Sequence, residues 1–243
     1  MERANPPAQR PNRFGLLLLV LVASYLLSAF ASGTWVSVVQ VALFLGIAAL
    51  AVRTAHVSRR VALLAIAVVT AGSAIVSALV LADPAAAVQG AANVWKALLL
   101  AFAVILTISR VLAQPEVTLQ SIYGALSAYM MMGLMFAACY GAMDKFGGDA
   151  FFAQGQPGNL QTFQYFSFTT LTTLGYGDFT ADQSAGRAVA VLEAMLGQVF
   201  LATLVARLVS VFRPPRRSQP ERRAHASARA RLPRRSRPRQ RPR

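Results

Sequence analysis

Apolar and polar positions in this chain come in long blocks. Six apolar runs are separated by short polar breaks: Phe14 to Ala31, Trp35 to Val52, Val61 to Ala82, about Asn93 to Leu112, about Leu119 to Met143, and about Ala185 to Phe212. Runs of roughly 20 residues suit a hydrocarbon layer about 30 Å thick when helical. Lipid offers unpaired backbone groups no partner, so every span is expected to be a helix. Between the fifth and last runs lie a polar stretch, 144–160, with Gly147, Gly148, Gly155, Pro157 and Gly158, and an aromatic, threonine-rich run, 161–172. At about 1.5 Å per residue that run spans roughly 18 Å, too short to cross. It is expected to enter from one face and return. Pro115 breaks the pattern in the linker 113–118, dividing four peripheral helices (14–112) from a C-terminal unit (119–212). The polar ends, 1–13 and 213–243, cannot bury a core and read as disordered tails. The pattern predicts an all-α integral membrane protein with six transmembrane helices and one re-entrant segment.

Composition agrees: 56% of the 243 residues are hydrophobic and 14% charged. The formal charge of +15 is unevenly spread, with 13 of the 24 Lys and Arg residues between Arg213 and Arg243. With the N-terminus in the cytoplasm, Arg3, Arg10, Arg13, Arg53, Arg59, Arg60, Arg110 and the tail are inside, and Lys96, Lys145 and Arg187 outside. That is the bias expected of a multi-pass chain. It puts both termini in the cytoplasm, and Trp35 and Trp95 at outer span ends, where an aromatic belt forms. Basic residues before the first span and Ala29-Phe30-Ala31 also fit a secretory signal peptide; the length of the apolar stretch favours a retained helix. Cys139 is single, so no intramolecular disulfide forms; it is expected to be a small packing residue. No metal cluster, nucleophile triad or phosphate loop is apparent, and an enzyme is not expected.

The stretch Phe163 to Phe179 reads FQYFSFTTLTTLGYGDF and ends in Thr173-Leu174-Gly175-Tyr176-Gly177-Asp178. It resembles the pore loop of tetrameric potassium channels, whose filter reads Thr-Val-Gly-Tyr-Gly-Asp; Leu174 takes the place of the valine. The resemblance runs from about Leu119 to Phe212, while the first half is similar only in hydropathy. It implies an outer helix at 119–143, a turret at 144–160, a pore helix at 161–172, a filter at 173–178 and an inner helix at 185–212. Four chains would surround one pore as a homotetramer. In such channels carbonyl rings replace the hydration shell of K+. Here those ion-binding groups would be the carbonyls of Thr173, Leu174, Gly175 and Tyr176, with the Thr173 hydroxyl as innermost ring. Aiming successive carbonyls inward needs left-handed backbone at alternate residues, which Gly175 and Gly177 tolerate. The Tyr176 ring is expected to pack on Tyr165 and Phe166. Thr172 and Thr169 would support the filter. Thr169 stands where some relatives carry a glutamate that partners the aspartate matching Asp178.

The resemblance also implies a voltage-gated-like layout, but nothing between Lys96 and Arg110 is charged. No arginine sensor helix is expected. Gly197, Gln198 and Glu193 are candidates for gate and cavity. Gly197 would let the inner helix bend, or pack closely through a small residue. Gln198 would face the cavity or bond to a neighbouring helix. Glu193 would draw cations in the cavity, or form a structural hydrogen bond behind the filter. Arg207 is expected to snorkel to the cytoplasmic face. The tail from Arg213 to Arg243 would bind anionic lipid or anchor the last span; without interleaved aromatics, nucleic acid is not expected. The expected function is passive K+ conduction, with K+ as cargo, in a plasma membrane, and the Arg-rich usage points to a bacterial inner membrane. A weakly selective cation channel and a non-conducting modulatory subunit are the alternatives.

Overall fold

A computed structural model describes residues 14–30, 46, 59–83, 85–114 and 117–211. Its helices, in order, are α1 Phe14–Phe30, α2 Arg59–Ala82, α3 Ala86–Leu112, α4 Leu119–Gly147, α5 Leu160–Leu171 and α6 Ser184–Val211. The expected span from Trp35 to Val52 (apart from Gly46), both tails and Pro115 lie outside the described residues. Among the described residues, α3, α4 and the Ser184–Val209 part of α6 are long and apolar enough to cross a membrane; α1 and Ile66–Ala82 are shorter apolar helices. Among the described residues the non-helical pairing is one antiparallel bridge, Phe152 with Ala181.

Local chemistry sets the helix starts nearest the re-entrant segment. Asn159 and Thr162 exchange side-chain-to-backbone bonds of 2.9 Å each, closing a capping box that begins α5. Thr118 and Ser121 do the same for α4. That helix ends at Gly148, whose φ of 77° an L side chain resists. The fourth span starts earlier than expected, at Ala86 rather than about Asn93. Glycine is a weak helix former, but Gly90 lets α3 close on α4: a Cβ there would sit 2.7 Å from Phe146. Lys96 therefore falls inside the helix, with Nζ 3.4 Å from Asn93 Oδ1. Trp95 packs over Gly72 and donates to Ser73 Oγ at 3.2 Å.

Helix α4 is the hub, with α3, α1, α5 and α6 all packed on it; α2 touches α3. Val111 lies against Gly124 near the start of α4, and Asn93 meets Gly141 and Gly90 meets Phe146 near its end, so α3 and α4 run antiparallel. Tyr123 lies against Gly15 in α1. Arg207, near the end of α6, donates to Gln114 O at 2.8 Å. The start of α1, the 113–118 joint and the end of α6 thus share one end of the bundle, opposite the turret. Arg207 reaches this joint at the end of the bundle nearest its own place on α6.

The peripheral helices enter the core of the C-terminal unit. Phe14, Leu17 and Leu21 are buried with Leu100, Val104, Met131 and Leu134. Further along α1, Tyr25 meets the Phe168 ring edge-on at 5.0 Å, and the buried Ser28 hydroxyl hydrogen-bonds with the Gln164 side chain on α5. Ser28→Ala should lower stability by about 1 kcal/mol, and by up to about 3 if Gln164 is left unsatisfied. Thermal unfolding in detergent measures it.

Candidate functional site

An α-helix leaves its last four carbonyls without intrahelical partners. At the end of α5 all four are taken. Phe168 O accepts from Thr172 N at 3.1 Å, Thr170 O from Thr173 N at 2.9 Å, and Thr169 O from the amides of Leu174 and Gly175 at 2.8 and 3.2 Å. Leu171 O accepts from the Tyr129 hydroxyl at 3.0 Å. The loop amides are thus tied back to the helix.

The loop's own carbonyls are treated differently. Thr173, Gly175 and Gly177 have φ of 57°, 53° and 81°, a left-handed step at every second residue. Thr173 is the described non-glycine residue that adopts it. Among the described residues, no hydrogen bond ends on the carbonyls of Thr173, Leu174, Gly175 or Tyr176. The next two carbonyls are engaged: Gly177 O by Gln154 Nε2 at 3.5 Å, and Asp178 O by Gln156 Nε2 at 2.8 Å. Leu174 and Tyr176 are 55% and 67% exposed, so this chain alone leaves the strip uncovered.

Aromatics and the turret brace the strip. Tyr176 stacks on Tyr165 with centroids 6.4 Å apart and planes 8° apart, and the Tyr165 hydroxyl donates to Asp178 Oδ2 at 2.9 Å. Phe166 does not join them. It faces away, into a buried cluster with Tyr140, Phe151, Phe152 and Phe163, because alternate sides of α5 address the loop and α4. Phe151 and Phe152 therefore seat the 144–160 stretch against α5. Thr169 sends its hydroxyl to Phe166 O at 3.0 Å and supports the loop through its carbonyl; Tyr165 is the partner of Asp178. Thr172 donates to Phe168 O at 2.7 Å. Beyond the loop, Ala153 N bonds to Thr180 O and Asp182 N to Phe151 O, both at 2.9 Å, and Gln154 holds Thr180 through side chain and backbone. Tyr165→Phe should keep the stack and lose the tie to Asp178. Faster decay of current in sustained recordings is the expected result.

On α6, Gln198 is exposed below the loop, and its Nε2 lies 3.2 Å from Thr173 Oγ1, which donates to Thr172 O. Glu193, by contrast, is fully buried, bonded to Tyr140 and Ser167. Gly197 faces the Leu171 carbonyl so closely that a Cβ would collide with it. Glu193 and Gly197 are four apart and meet Ser167 and Leu171, also four apart, so one face of each helix forms the seam. Sequence reading did not single out Gln154, Gln156, Tyr129, Tyr140 or Ser167. Two are glutamines in a glycine-rich loop and three sit in apolar helices, where only contact reveals a role.

A short helix and an extended return leg lie between two long apolar helices. Residues 126–213 match the family model described as Ion channel, a little over a third of the chain, running through α5, the loop and α6. That similarity supports ion channel function in a membrane and points away from an enzyme. No curated protein and no solved structure matches the chain.

Proposed function

We propose that the chain is one quarter of a homotetrameric, potassium-selective channel. K+ would pass down its gradient along the carbonyls of Thr173, Leu174, Gly175 and Tyr176. The observation that carries this reading is the run of four unpaired carbonyls at a loop whose amides are fastened to α5 and whose backbone alternates in hand. A cation losing its water needs such a strip of oxygens, and a single strip cannot surround it. The exposed loop and the sparse burial of α6, 11% of its apolar window against 56% for α4, fit further copies around one axis. The missing charges between Lys96 and Arg110, with α3 docked along α4, argue against an arginine sensor. The placement is a plasma membrane, bacterial inner membrane in type, with the shared end of α1, the joint and α6 in the cytoplasm and the Arg213–Arg243 tail on anionic lipid.

Reversal potentials of the purified protein in liposomes test it. A shift with the K+ gradient alone is expected. A shift with Na+ as well would make it a weakly selective channel, and absence of current a non-conducting subunit. Either would overturn the reading.

A further inference from the structure

We infer that Glu193 is a neutral carboxylic acid in the folded channel, a proton-carrying rivet joining α4, α5 and α6 behind the filter. The argument is a count of hydrogens. Five oxygens form a chain: Tyr140 Oη lies 2.6 Å from Glu193 Oε2, Ser167 Oγ 2.5 Å from Glu193 Oε1, and Ser167 Oγ 2.7 Å from Gly133 O. Three contacts need three hydrogens. The two hydroxyls bring one each, and the carbonyl of Gly133 can only accept. The Ser167 hydrogen goes to Gly133, so the one between Ser167 and Glu193 must sit on the carboxyl. Ser28 meets two acceptors in the same way, Tyr25 O and Gln164 Oε1, but an amide can turn its NH2 to the hydroxyl. A carboxylate has no such alternative.

Among the described residues of this chain, no cation pairs with Glu193. Glu193, Ser167 and Tyr140 are all fully buried. From α4 the titratable groups close enough to sense Glu193 are Tyr129, Cys139 and Tyr140, none a cation. The pore helix, Leu160–Leu171, has no charged residue. On α6 the nearest cations by sequence are Arg187 and Arg207, about 9 and 21 Å away along the helix at 1.5 Å per residue. They donate to Ala181 O and Gln114 O. A buried unpaired carboxylate is costly enough that the group takes up a proton instead. The rivet fixes Ser167, which stands one helical turn before the Leu171 carbonyl facing Gly197. It thereby sets how closely the inner helix approaches the filter's supporting helix.

The test uses the full chain in liposomes at neutral pH. The sequence has four glutamates, Glu2, Glu116, Glu193 and Glu221, so carboxyl-carbon-13 glutamate labelling gives a readable spectrum. Infrared spectra should show a carbonyl stretch of a protonated acid that shifts on glutamate labelling and disappears in Glu193→Gln. If that variant does not fold, Tyr140→Phe serves instead, removing one hydrogen-bond donor and moving the same band to higher frequency. Finding every labelled glutamate ionised, or a glutamate acid band that survives Glu193→Gln or ignores Tyr140→Phe, overturns the inference. The measurement needs no current, so its failure is separable from failure of the potassium reading.

Discussion

Gly177→Ala is expected to abolish selective K+ flux while leaving the chain inserted and assembled. Gly177 has a φ of 81°. An L side chain in the left-handed region costs roughly 1–2 kcal/mol. Four copies in one ring would cost about 4–8 kcal/mol together, comparable with the whole stability of many domains at about 5–15 kcal/mol. Turning the peptide would relieve that strain and take the Tyr176 carbonyl off the proposed ion path. Apart from its two chain neighbours, no described heavy atom of the chain lies within 4 Å of the added Cβ, so collision within the chain does not complicate the result. Liposome flux and size-exclusion profiles of the same preparation are the paired measurements. A wild-type reversal potential in the variant would show that the backbone hand at this position is immaterial.

Gly197→Ala should lower thermal stability, which separates two roles for this glycine. In a helix interior the change to alanine gains about 1 kcal/mol. If Gly197 serves only as a bend, the variant should be at least as stable and open less often. The structure gives it a packing role, since its Cβ would collide with the Leu171 carbonyl. Overfilling a packed seam costs typically 1–3 kcal/mol, enough to exceed the propensity gain. Leu171 O also receives the Tyr129 hydroxyl, so moving it disturbs the last turn of α5. The expected result is a lower melting point together with reduced flux. A raised melting point with reduced opening would restore the hinge.

What the sequence made legible depended on how local the cause was. The short helix was expected at 161–172 and lies at Leu160–Leu171, because its length is set by a cap and by a loop whose spelling is local. The left-handed steps at Gly175 and Gly177 follow from the missing Cβ, but the one at Thr173 does not: threonine gives no advance sign of it. Phe166 and Tyr165 are neighbours in an aromatic run, and only the packed helix reveals that one faces the turret cluster and the other the loop. Glu193 was legible as an oddity in an apolar span. Whether it met water or protein was not, because its partners are 53 and 26 residues away in the chain. The reach of α3 back to Ala86 was hidden for a similar reason: a glycine scores as a breaker until the ring that fills it, Phe146, is known.

The notches along α4 bear on how this chain tolerates change. Gly133 admits the Phe168 ring and Gly124 the Val111 side chain, and an added Cβ would lie 2.6 Å from either. Lipid gives helices little reason to prefer one another beyond shape. In a saturation scan of α4, the least replaceable positions should therefore include its smallest residues. Bulky positions such as Leu126, 39% exposed on the subunit surface, should accept many substitutes. A fitness map of this helix would then run opposite to that of a water-soluble core, where the largest side chains are the ones selection guards.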